Sequence, residues 1–120
     1  MTAFAGDWYN EFGSHLLLVA DGAGNLAGTF EPGAGPGGRR ELVGRYDAAS
    51  SGSGAALGWT VAWRDGRGRA ASVTGWSGQY LPEEERILAS WLFTTASGAD
   101  QAWKATVVGQ ESFSRQPPIS

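Results

Sequence analysis

Three runs decide the fold class: Leu57-Gly58-Trp59-Thr60-Val61-Ala62-Trp63, then Ser72-Val73-Thr74-Gly75-Trp76, then Ile87-Leu88-Ala89-Ser90-Trp91-Leu92-Phe93. Successive side chains of a strand point to opposite faces, so residues two apart line one face. The first run then puts Leu57, Trp59, Val61 and Trp63 together. The second groups Ser72, Thr74 and Trp76. The third groups Ile87, Ala89, Trp91 and Phe93. None of them carries a 3.6-residue period long enough for a major helix.

Working outward, turn signals recur along the whole chain. They are Gly13-Ser14, residues 21–25, 32–38, 50–54, 65–68, 81–84 and 96–100. These seven separate eight segments of strand length, rich in Val, Thr, Trp, Phe, Tyr and Leu. This is the pattern of an all-β sandwich or barrel. Glu83-Glu84-Glu85 reads as a solvated loop between two strands. The 120 residues form one domain, with an ordered core over about 5–114 and a frayed tail at 115–120.

Composition excludes several classes. Charged residues are 18% and hydrophobic residues 42%, which suits a globular chain. The net charge of −3 attracts neither nucleic acid nor an anionic membrane. No apolar run approaches the roughly 20 residues of a membrane helix. With no cysteine there is no disulfide, thiolate metal site or cysteine nucleophile. His15 is the sole histidine, so no serine triad or histidine-based metal site can be assembled. It reads as a surface residue. No signal-peptide pattern precedes Phe4, so the chain is either cytosolic or begins near a mature N-terminus. Nineteen glycines point to many tight turns, and six tryptophans call for a core or a ligand that uses them.

Some faces mix tryptophan with polar groups. The first segment gives Trp8, Asn10, Phe12 and Ser14, and the eighth gives Ala105, Val107, Gly109, Glu111 and Phe113. A sealed core would not choose Asn10, Ser14, Ser72, Thr74 and Glu111, because each costs about 1–3 kcal/mol when buried without a partner. A pocket with apolar walls and a few placed polar groups would choose them. An eight-stranded barrel is wide enough for one small ligand. Leu88, Leu92, Thr106 and Val108 alternate to the opposite faces, so a second subunit is expected to cover them.

In these residues the chain resembles the avidin–streptavidin family of biotin-binding proteins, its bacterial streptavidin branch above all. The resemblance rests on Trp8-Tyr9-Asn10-Glu11-Phe12-Gly13-Ser14, Gly28-Thr29-Phe30-Glu31, Gly44-Arg45-Tyr46-Asp47, residues 56–63, residues 74–80, Trp91-Leu92-Phe93-Thr94, and Ala102-Trp103-Lys104 through Val108-Gly109. It spans about Gly6 to Phe113 in order. It implies an eight-stranded antiparallel up-and-down β-barrel. It also implies biotin at the open end of each barrel, no other cofactor, no metal, no catalysis, a homotetramer, and a secreted, extracellular location.

The resemblance assigns roles. Asn10 and Ser14 meet the ureido oxygen of biotin, Ser72 the carboxylate end or the linker region, and Thr74 the sulfur. Trp63, Trp76 and Trp91 wall the rings, with Phe12 and Phe93 as further apolar wall. Trp103 reaches a neighbouring subunit's site. Glu111 stands for an aspartate that accepts a ureido N–H and pairs with Asn10. Two positions depart: Phe30 replaces a tyrosine hydroxyl donor, and Pro32 replaces a hydroxyl acceptor. Two missing partners weaken binding by about 10²- to 10⁴-fold. The glycine-rich 33–38 sits where the family has a lid, and its freedom makes closure entropically costly.

Other features read as structural. Trp8 and Trp59 are core, Arg45-Tyr46-Asp47 is a strand-end pairing, and Arg64, Arg67 and Arg69 belong to a solvated loop. Two rival readings remain: the same barrel holding a different cyclic amide or biotin derivative, or a barrel kept for assembly alone. Gln110 replaces an interface imidazole, which leaves a dimer open beside the tetramer.

Overall fold

The structure, a computed structural model, describes residues 2–33, 38–49, 54–63 and 71–118. The strands are β1 (Gly6–Tyr9), β2 (His15–Ala20), β3 (Asn25–Glu31), β4 (Arg40–Ala48), β5 (Ala55–Trp63), β6 (Ser72–Leu81), β7 (Arg86–Thr95) and β8 (Thr106–Ser114). Each pairs antiparallel with its sequence neighbour. β8 returns to β1 at Tyr9 and Ser114, which closes an up-and-down barrel of eight strands. The arginine loop at 64–70 and the glycine-rich 34–37 lie outside the described residues.

The alternation read from β5, β6 and β7 holds. Leu57, Trp59, Val61, Thr74, Trp76, Ile87 and Ala89 are buried, while their neighbours turn outward. Trp8 and Trp59 are core, and the Trp8 indole N–H donates to the Phe4 carbonyl at 2.7 Å. Residues 82–85 form the expected turn, with Glu85 at φ 52°. At the β2–β3 turn the Asp21 carboxylate accepts from the backbone N–H of Ala23 and Asn25 and from the Asn25 amide. Those bonds, the Asn25 side chain's first, hold its carboxyl below the ordinary range. Arg45 donates to Asn25 Oδ1 at 2.6 Å, the structural pairing expected of it. His15 sits beside Asp7 at 2.7 Å and stacks on Tyr9.

Four details differ from the sequence reading. First, the glycine richness that points to tight turns also serves strand interiors. Gly28, Gly44 and Gly78 face inward where backbones nearly touch. A Cβ there would lie 1.8 to 2.0 Å from a carbonyl oxygen of the next strand. Second, β1 stops at Tyr9, so Asn10, Phe12 and Ser14 belong to a turn and do not share a strand face. Third, Trp103 is not on the eighth strand. Residues Ala99–Lys104 form a 3₁₀ helix with no buried residue, and Asp100 and Lys104 suit its two ends. Fourth, the ordered core passes both expected limits. Phe4 is buried, and Arg115 donates to the Ala3 and Asp7 carbonyls with its guanidinium 3.8 Å over the Trp8 ring.

Candidate functional site

One row of residues crosses the barrel wall through the strand register. Gly44 faces Trp59, Trp59 faces Trp76, Trp76 faces Trp91, and Trp91 faces Gly109. Trp59 and Trp76 stack at 5.5 Å and 16°. Phe30 packs against Trp76 at 4.9 Å and edge-on to Trp63 at 5.9 Å. Trp91 has room because its partner is glycine: a Cβ on Gly109 would lie 2.2 Å from Trp91 Cζ2. Of these rings Phe30, Trp76 and Trp91 line a cavity of about 490 Å³ at one end of the barrel. That size suits a small organic ligand.

Of the residues named from sequence, Asn10, Phe12, Ser14, Phe30, Thr74, Trp76, Trp91, Phe93 and Glu111 line this cavity. Phe12 lies on its rim and is 69% exposed. Pro32, Trp63, Ser72 and Trp103 do not line it. Trp63 packs edge-on to Phe30 and donates its indole N–H to Thr74 Oγ1 at 2.8 Å. Ser72 pairs with Trp63 and Thr95 at the strand end. Pro32 precedes Gly33, and Trp103 is 81% exposed on the 3₁₀ helix. The structure adds Val107, Gly109, Gln110 and Glu11 to the lining. Val107 and Gly109 were legible as members of the eighth alternating face. A larger hollow of about 1120 Å³ lies on the outer wall around residues 20–24, Arg45 and Ser77, and it gathers none of the expected polar set.

The polar groups form one network. Asn10, 4% exposed, accepts through Oδ1 from the backbone N–H of Phe12 at 3.0 Å and Ser14 at 2.9 Å. Its amide therefore faces the other way and donates to Glu111 Oε2 at 3.2 Å. The second carboxylate oxygen accepts the Trp76 indole N–H at 2.7 Å. Glu111 thus reaches the Asn10 pairing despite its extra methylene. Ser14 Oγ accepts the Gly33 N–H at 3.1 Å. A Cβ on Gly33 would lie 2.2 Å from the Phe12 carbonyl oxygen, so glycine lets this strap lie close over the turn.

Burial pushes the Glu111 carboxyl above its ordinary 4.5. The bonds from Trp76 and Asn10 oppose that push, and the charge on Glu11 adds to it. A desolvated carboxylate on a tryptophan wall, anchored by an amide, is a strong acceptor for an N–H donor.

The family model of the Avidin family matches residues 1–116. The chain belongs to the avidin family. An avidin-family barrel is a ligand-holding barrel of the biotin-binding kind, and family members are non-enzymatic binders that generally oligomerise. The closed topology, the tryptophan row and the cavity at the barrel end suit that class.

Proposed function

We propose that this protein binds biotin, without catalysis, in the cavity at the barrel end. The observation that carries the reading is the Asn10–Glu111–Trp76 cluster set into an aromatic pocket. In this reading the Asn10 amide and the Ser14 hydroxyl donate to the ureido oxygen, and Glu111 accepts a ureido N–H. Thr74 donates to the sulfur. Trp76, Trp91, Phe30 and Phe93 cover the ring faces, and Ser72 meets the carboxylate end. Phe30 carries no hydroxyl and Pro32 no side-chain acceptor, so affinity falls below that of the family's tightest binders. The rival ligand is a biotin derivative or another cyclic amide. Calorimetry with biotin at high micromolar protein tests the proposal. Saturable heat supports it, and no heat contradicts it.

The pH dependence follows from Glu111. Only its ionised form accepts an N–H without also carrying a proton toward the ligand. Its carboxyl titrates above the usual range, so that form is lost as pH falls through the raised value. Biotin affinity is expected to hold near neutral pH and weaken progressively on acidification. Calorimetry at a series of pH values checks this, and a flat profile down to about pH 4, near the unperturbed glutamate value, contradicts it.

The assembled form is a homo-oligomer, a tetramer in the leading reading. Val43, Leu88, Leu92 and Val108 turn apolar side chains to the outside, with Val108 69% exposed. Placing such residues against another copy removes them from water. Trp103, projecting from the 3₁₀ helix, is free to enter a neighbour's site. Leu92→Glu is expected to shift the protein to a smaller species by size-exclusion chromatography with light scattering. An unchanged mass contradicts an interface on this face. Secretion, typical of the family, is the proposed location.

A further inference from the structure

We infer that the pocket reads a single ring N–H of its ligand, on Glu111, and that the described residues offer no second interior carboxylate to another. This deepens the biotin-binding reading and rests on it for the class of ring. Asn10 Oδ1 is committed to two backbone N–H groups, so the carboxamide presents only its donor end to the cavity. One of those hydrogens goes to Glu111 and the other is left for a ligand. Ser14 Oγ already accepts from Gly33 N–H, and Thr74 Oγ1 accepts from the Trp63 indole. Both serine and threonine are buried, and neither hydroxyl proton has an acceptor among the described residues. A buried hydroxyl proton is costly unless an acceptor meets it. Both hydroxyls are therefore set to donate into the cavity.

Acceptors are scarce among the described residues. Glu111 lines the cavity as a carboxylate, each oxygen holding one protein N–H with capacity left. Glu11 also lines the cavity but is exposed, so solvent competes for its carboxylate. The Gln110 amide is turned to Ser90 Oγ. The rest of the wall is Phe12, Phe30, Trp76, Trp91, Phe93, Val107 and Gly109, with the Trp76 N–H already donated to Glu111. Among the described residues the site is rich in donors, and Glu111 is its one interior carboxylate acceptor. Its best complement is a small ring with one N–H beside a carbonyl and a second acceptor atom further in. A cyclic amide, a cyclic carbamate, or a cyclic urea whose other nitrogen carries no hydrogen meets that description. In a symmetric cyclic urea the second N–H is desolvated against apolar wall.

Calorimetry with three probes tests this: biotin, and the two isosteres in which one or the other ureido NH is replaced by CH₂. The replacement keeps the ring's size, so hydrogen bonding alone changes. The expected result is asymmetry. One isostere binds at least as tightly as biotin, and the other loses about tenfold or more, the worth of a buried charge-assisted partner. If biotin binds and both isosteres lose about tenfold or more, both N–H groups are read. The inference then falls while the biotin reading stands. If both isosteres match biotin, Glu111 reads neither N–H and the inference falls. If biotin is silent while one isostere binds, the biotin reading falls and the single-N–H reading stands. If no probe binds, both fall.

Discussion

Asn10→Ala is expected to lower biotin affinity by more than about 100-fold and the melting temperature by about 10 °C. Asn10 is the joint between the β1–β2 turn and the pocket. Its carbonyl oxygen gathers the N–H groups of Phe12 and Ser14, and its amide holds Glu111. Truncation leaves the buried Ser14 N–H without a partner and takes from the half-buried carboxylate one of its two protein donors, the Trp76 indole staying in place, at about 1–3 kcal/mol each. Phe12 is exposed, so its N–H recovers water at little cost. Binding suffers more than stability because two ligand contacts are lost together: the Asn10 donor itself, and Ser14 once the turn relaxes. Thermal unfolding and calorimetry on the same preparation separate the two effects. Affinity within about threefold of wild type would show that the turn is held by other means.

Gly28→Ala is expected to destabilise the barrel by about 3 kcal/mol or more, or to prevent folding. Gly28 faces inward between Leu18 and Leu42, at φ 149°, which L-residues rarely adopt. An added Cβ would lie 1.8 Å from the Leu17 carbonyl oxygen, and that oxygen is backbone and cannot rotate away. Backbone strain and overlap therefore add. Gly22→Ala is the control. Its φ is 81°, but nothing lies within 4 Å of its Cβ position, so only the conformational term of about 1 kcal/mol applies. Denaturant unfolding of the two variants should differ by at least about 2 kcal/mol. Equal effects would mean that β2 and β3 can part at this point without loss.

The barrel was legible because alternation is a strong signal where one face is buried. Leu57, Trp59 and Val61 announce β5 as plainly as any strand can. Gly28, Gly44 and Gly78 read as members of strand segments, but the reason for glycine there was not legible: they mark close backbone approaches that only the closed barrel creates. Asn10, Phe12 and Ser14 meet at the pocket by a different route from the one their spacing suggests. A two-residue spacing fits a strand face, whereas a turn wrapped around Asn10 Oδ1 brings them together. Six residues of 3₁₀ helix carry no period, so the placing of Trp103 outside the strand could not be read. Arg115 looked like the start of a loose tail. Its contacts with Ala3, Asp7 and Trp8 cross more than 100 residues, and no local pattern reports such contacts.

The site was legible in its residue types more than in its geometry. Mixed polar and aromatic faces pointed to a pocket, and the Asn10–Glu111 pair lies within it. Trp63 and Ser72 were expected at the ligand; neither lines the cavity, and Trp63 holds the lining residue Thr74 through its indole N–H. The room that Gly109 gives Trp91 depends on the β7–β8 register, which the sequence does not print.

The most direct test of the central claim is intrinsic tryptophan fluorescence titrated with biotin, on protein first sized by chromatography. Trp76 and Trp91 line the cavity, and Trp76 stacks on Trp59, so a ligand there changes the environment of emitting rings. Saturable quenching or a blue shift at about one biotin per chain is the predicted result. No change up to millimolar biotin would contradict it, and would leave an avidin-family barrel built for another ligand or for assembly alone.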